Sequence, residues 1–220
     1  MRFRLAALTV LLMLGGMLIP SDVSAIVPRP TQKPRTWQLD FEFHDLQAIR
    51  ASVPGQAART YWYIRYKAIN RTGDDRPLNL SASLYSETGK LMRANRDVPF
   101  QVYTAVKKLH NDPLLQWTPL GKILQGEDNA ERGVFIWPDF DPKAGTVDIF
   151  IEGLSGDTVT LKLPTPIKKT VPAGRGKTKE VVQKTIQLKK TLHLQYTVVG
   201  DAETRHQNDP TRTRSRWIMR

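Results

Sequence analysis

The sequence predicts a mainly β protein, a sandwich of about seven to nine short antiparallel strands with one inserted helix. Three observations carry that expectation. Segments of period-two alternation recur along the chain, as in Trp37, Leu39, Phe41 and Phe43 against Gln38, Asp40 and Glu42. Clusters of Gly, Asn, Asp and Pro separate these segments at short intervals. Helical spacing is confined to one stretch, Val98 to His110. A partly open β-barrel is the alternative arrangement that the same pattern allows.

Taken in order, the first strand spans Trp37 to Phe43, and Ile49 to Val53 adds a short second one before the Pro54-Gly55 turn. Thr60 to Ile69 is the densest β signal. Trp62, Ile64, Tyr66 and Ala68 project to one side, and Tyr61, Tyr63, Arg65 and Lys67 to the other, which reads as a wet face. After the turn cluster Asn70 to Asp75, Leu78, Leu80, Ala82 and Leu84 alternate with polar residues and Tyr85 up to Glu87-Thr88-Gly89-Lys90. The helix follows, with Val98, Val102, Ala105, Val106 and Leu109 on one face and Asn111-Asp112-Pro113 as its stop. Residues 114–132 read as a long connection with room for a short strand. Strand signals return at Gly133 to Trp137, Thr146 to Ile151 and Thr158 to Leu163. The last expected strand is long, Val181 to Val199, with Lys190 interrupting its apolar face; a bend there, or a stretch projecting beyond the sheet, accounts for that lysine. Gly200 closes the expected domain of residues 37–200, and the arginine-rich residues 201–220 read as a disordered tail. Strand number and turn spacing together fit the immunoglobulin-like sandwich.

The block Tyr61-Trp62-Tyr63-Ile64, Tyr66, Asn70 and Thr72-Gly73-Asp74, with Gly133-Val134, Ile136-Trp137 and Gly153-Leu154-Ser155-Gly156 downstream, resembles uncharacterised exported bacterial proteins. The resemblance runs from about Trp37 to Gly200 and implies an immunoglobulin-like domain. Its motifs are aromatic and turn residues. They identify a scaffold and carry over no catalytic residue, cofactor or ligand set.

The N-terminus points to export. Arg2 and Arg4 precede the uncharged run Leu5 to Ile19, Pro20 breaks it, and Val23-Ser24-Ala25 offers a small-residue cleavage site, so residues 1–25 read as a signal peptide. The apolar run is shorter than the roughly 20 residues needed to span a bilayer, which argues against a retained anchor. Residues 26–36, with three prolines, read as an extended leader. The expected location is periplasmic or extracellular.

The chain has 220 residues, a formal charge of +12 and no cysteine. Disulfides, thiol nucleophiles and cysteine-ligated zinc are therefore excluded, and 40% hydrophobic residues leave enough material for a core. The charge is concentrated. Nine basic residues lie from Lys162 to Lys190, with Glu180 as the lone acid. If Thr158–Val171 pairs with Val181–Val199, Lys168, Lys169, Arg175, Lys177 and Lys179 form a basic finger around the tip Ala173-Gly174-Arg175-Gly176. Such a finger attracts anionic partners through counterion release; it lacks the aromatics that single-strand stacking needs. The same lysines also serve to keep strand edges from aggregating.

Other chemistry is thin. Gly174-Arg175-Gly176-Lys177-Thr178 fails the phosphate-loop pattern because Val171 stands where glycine is required. Asp139 with Asp141, or Glu127, Asp128 and Glu131, lack calcium-loop spacing. His44, His110, His193 and His206 show no zinc-pair spacing, and His193 falls on the polar, expected exposed side of the last strand. Tyr61, Tyr63 and Tyr85 suggest either cross-strand aromatic pairs or a sugar-stacking face. The reading that follows is a non-catalytic, cofactor-free exported binding protein of the cell envelope. Its finger would contact an anionic polymer (polysaccharide, lipid surface or non-specific nucleic acid) or an acidic protein. An envelope-polymer hydrolase using Asp139, Asp141 or His193, and an accessory subunit of another exported protein, are the alternatives.

Overall fold

The computed structural model describes residues 36–55, 57–119, 121–174 and 177–220. The expected signal peptide, nearly all of the expected leader, and Arg175 at the finger tip lie outside the described residues. In chain order the elements are β1 (Asp40–Phe43), β2 (Gln47–Ala51), β3 (Arg59–Asn70), β4 (Arg76–Leu78), β5 (Ser81–Ser86), β6 (Leu91–Arg93), α1 (Phe100–Leu109), β7 (Gly121–Ile123), β8 (Gly126–Pro138), β9 (Thr146–Glu152), β10 (Thr158–Gly174), β11 (Lys177–Thr197), a 3₁₀ turn (Arg205–Gln207) and β12 (Thr211–Met219). The molecule is mainly β, all its named strand pairs are antiparallel, and it is a sandwich rather than a closed barrel.

Two sheets make the sandwich. In the smaller, β3 is central; β1 and β2 lie end to end along one edge and β8 along the other. In the larger, β6, β5, β9, β11 and β12 follow one another, and β10 takes over from β9 along the same edge of β11. Alternation does the rest. Trp62, Ile64, Tyr66, Phe135 and Trp137 from the first sheet meet Leu84, Ile149, Ile151, Leu194 and Tyr196 from the second in the main core. Gly133 is required there, because a Cβ would lie 2.3 Å from the Tyr66 hydroxyl.

Four expectations are corrected. Tyr61 and Tyr63 are buried, because α1 lies over the second face of the smaller sheet and packs Val102, Tyr103 and Val106 against them. The Tyr61–Tyr63 end of that face is dry, which a period-two pattern of aromatics does not reveal, while Arg65 and Lys67 farther along it are half-buried. The 114–132 connection contains the short strand it had room for, β7, but β8 begins at Gly126 rather than Gly133, so Glu127, Asp128 and Glu131 sit on a strand. The domain does not close at Gly200, and residues 201–220 are not a disordered tail. Arg205 is buried: its guanidinium donates to Asp139 Oδ1 at 2.6 Å and to the Asp141 carbonyl at 2.9 Å, and stacks over Phe140. Past this latch, β12 pairs with β11 from Thr197↔Thr211 to Lys190↔Met219. Finally, His193 is only 5% exposed.

At Lys190 the strand runs straight through. The Lys190 ammonium is fully buried, 3.4 Å from Asp157 Oδ2 and over the Trp217 ring. Asp157 also accepts from the Thr36 backbone N–H and hydroxyl at 2.8 and 2.9 Å, so the last leader residue is tied to this point. Lys190 marks the place where β11 leaves the sandwich.

Candidate anion-binding face

Beyond Lys190, β10 and β11 continue as a two-stranded arm, from Thr158↔Lys189 to Gly174↔Lys177. At about 3.3 Å per residue the arm reaches roughly 40 Å from its root. An isolated hairpin is marginal in water. Here Val159, Leu161, Ile186 and Leu188 pair directly, half-buried, on the side that continues the core face of β11. They extend the hydrophobic stripe up the base of the arm.

Residues directly opposite one another in an antiparallel pair project to the same side. On β11 the core-facing residues are even-numbered, as Leu192, Leu194 and Tyr196 show. Its odd-numbered residues therefore share the outer face with His193, and register assigns their partners to that face too. Lys162 (opposite Thr185), Lys169 (opposite Val181), Lys177, Lys179 (opposite Val171) and Lys189 all lie on the outer side. Lys168 and Lys169, as neighbours on a strand, face opposite ways; an irregularity between Lys162 and Ile167 shifts the phase of β10, so that odd-numbered Lys169 joins even-numbered Lys162 on the outer side. Lys168 is on the core-facing side opposite Val182, and its ammonium lies 3.4 Å from Glu180. Of the five residues singled out in the sequence, Lys169, Lys177 and Lys179 are thus brought together. Lys168 is turned away and partly neutralised, and Arg175 is outside the described residues. The expectation of a single finger with all its lysines projecting together is corrected in that respect.

The outer face continues onto β12, which sequence reasoning missed. Arg214 and Arg216 lie opposite Gln195 and His193, on the outer side. Arg220 exchanges backbone hydrogen bonds with Lys189 at 2.7 and 3.0 Å, and its guanidinium stacks 4.0 Å over the Phe150 ring. The signal was present: Thr211-Arg212-Thr213-Arg214-Ser215-Arg216 alternates at period two and leads into Trp217-Ile218-Met219. Arg212 leaves the outer face because β12 carries an extra residue, Thr213, and it pairs instead with Asp45 at 3.2 Å.

At the centre of this surface His193 stacks on Phe150, with ring centroids 4.7 Å apart. Arg216 Nε lies 3.4 Å from His193 Nδ1. An arginine N–H only donates, so Nδ1 accepts, and the ring proton sits on Nε2, 2.6 Å from Asp148 Oδ1. Gln195 donates to the same oxygen at 3.1 Å. Both ring nitrogens of His193 are thus occupied, which makes the ring a support that positions Arg216.

The residues named for a hydrolase do not converge. Asp139 accepts from Trp62 Nε1 at 2.6 Å and from Arg205. Asp141 caps the Lys143 N–H at 2.9 Å, which holds its carboxyl below the usual range. His193 lies on the far side of the larger sheet. Glu127 bridges Lys67 and Arg71, each at 2.8 Å, and Glu131 accepts from Gln116 at 2.5 Å. Among the described residues no group of three His, Asp or Glu side chains is placed to hold a metal ion.

No protein-family model matches the chain, and neither does any curated protein or solved structure.

Proposed function

We propose that this protein is a non-catalytic binding protein that grips an anionic surface or polymer through the outer face of its arm and of the adjoining β11–β12 strands. One observation carries the reading. From Lys177 at the tip to the Lys189–Arg220 pair at the root, register places Lys162, Lys169, Lys177, Lys179 and Lys189 on one side with no acid among them, and Arg214 and Arg216 prolong the track. Lysines whose only task was to protect free strand edges would be spread over both faces equally. Export to the cell envelope, as the N-terminal residues suggest, would bring this face to anionic lipids, polysaccharides and acidic proteins.

The test is a salt titration on an immobilised polyanion such as dextran sulfate. The variant Lys169→Gln/Lys177→Gln/Lys179→Gln should elute at markedly lower salt, with a shallower dependence of log affinity on log salt. Lys168→Gln/Lys184→Gln, on the opposite side, should change retention far less. Equal losses in both variants would reduce the effect to net charge and remove the face as a site.

A further inference from the structure

The distal arm carries more than charge. Three aliphatic side chains there are well exposed: Ile167 at 47%, Val181 at 40% and Val182 at 51%. Ile167 and Val181 lie on the outer face, and Val182 lies on the other side opposite Lys168. On the outer face the register interleaves aliphatics with lysine: Lys169 stands opposite Val181, Lys179 opposite half-buried Val171, and Ile167 opposite Gln183. The result is a checkerboard of aliphatic and ammonium groups at the end of a projecting arm.

A soluble polyanion has no use for the aliphatic half of that pattern, since phosphate and sulfate groups are met by charge and hydrogen bonds. Recognition of nucleic-acid strands would call for stacking aromatics, and β10 and β11 carry none along the arm from Thr158 to Lys189. A second copy of the chain is opposed by like charges, because pairing along the free edge of β11 would bring Lys177, Lys179 and Lys184 of one copy beside those of the other. An anionic bilayer satisfies both halves: lysines reach phosphate headgroups while short aliphatics enter the headgroup–acyl boundary. Resting on the anion-binding reading above, we infer that the partner of the distal arm is an anionic lipid surface. Ile167, Val171 and Val181 enter it, and Lys169, Lys177 and Lys179 hold its phosphates.

The test uses the purified protein and variants sharing one N-terminus, with phosphatidylcholine vesicles containing or lacking phosphatidylglycerol and with dextran sulfate as the soluble polyanion. Ile167→Ser/Val181→Ser should weaken partition onto the anionic vesicles by about tenfold or more and leave retention on dextran sulfate unchanged. Lys169→Gln/Lys179→Gln should weaken both, by about fivefold per lysine on the vesicles. Because the chain has no cysteine, Val181→Cys accepts a polarity-sensitive dye, whose emission should shift to the blue with anionic vesicles and stay unchanged with dextran sulfate. Wild-type-like vesicle binding by the aliphatic variant, or a dye that stays in water while the protein is bound, would overturn the lipid assignment. So would binding to dextran sulfate without binding to vesicles, which leaves the broader anion reading standing. Binding to neither probe would overturn both.

Discussion

At the scale of single residues, the chain holds buried ionisable groups whose partners decide what they cost. Lys190 has no exposed surface and faces Asp157 at 3.4 Å. Removing only the carboxylate leaves an unpaired ammonium in the interior, a loss of about 3–5 kcal/mol. Asp157→Ala should therefore lower the stability measured by urea unfolding by that amount, and Asp157→Ala/Lys190→Met should recover much of it. Additive losses in the double variant would show that the two residues act separately. His44 and His110 carry a pH signature. Burial, then the nearby Arg65 guanidinium, holds both below the ordinary histidine value of 6.5. A lowered pKa in the fold means that the unfolded chain binds protons first as pH falls through 6.5, so the stability these residues support is present above that pH and lost below it. Melting temperature should fall between about pH 7 and 5, and His110→Gln, which gives up the 2.9 Å contact to Tyr63 Oη, should make the fall shallower. A flat profile in the wild type would contradict this.

At the scale of elements, the C-terminal strand depends on a latch some residues before it. Gly200 turns with φ of +112°, and its Cα hydrogen side faces the Arg205 backbone, where a Cβ would lie at 3.0 Å. Arg205 then anchors on the β8–β9 loop, between Asp139 and the carbonyls of Phe140 and Asp141. Arg205→Ala leaves the buried Phe140 carbonyl without its donor, at about 1–3 kcal/mol, while Asp139 keeps its bond from Trp62; the variant should loosen β12 specifically. Hydrogen exchange should then quicken at the β12 amides and remain slow in β3 and β8. Uniform acceleration across both sheets would mean that the latch supports the whole sandwich instead. Because Arg214, Arg216 and Arg220 ride on β12, the same variant should also weaken dextran sulfate retention.

At the scale of the whole molecule, the arm and the sandwich divide the work. The main core lies between the sheets and uses no residue of β10, so the arm should be dispensable for folding. Joining Lys162 to Thr185, which stand directly opposite, through an Asn-Gly turn removes the distal arm without altering the strands that hold the core. The shortened protein should melt within a few degrees of wild type, an expectation for surface changes of well under about 1 kcal/mol, and should lose most of its salt-dependent retention. Collapse of the melting transition would show that the arm braces the sandwich.

Much of this was legible beforehand because strand faces are written locally. The alternation of Trp62, Ile64, Tyr66 and Ala68, the helical spacing from Val98 to Leu109, and the crowding of lysines after Lys162 each depend on neighbours a few residues away. They gave the β class, the single helix and the charged hairpin. Other features depend on what packs from afar. Tyr61 and Tyr63 are dry because α1 covers them. Lys190 is buried because Asp157 and Trp217 surround it. Arg214, Arg216 and Arg220 join the basic face because Arg205 finds Asp139. Composition located the positive charge; only the register of β10, β11 and β12 decided which lysines and arginines share a side, since a single shifted residue in an antiparallel pair sends a side chain to the opposite face.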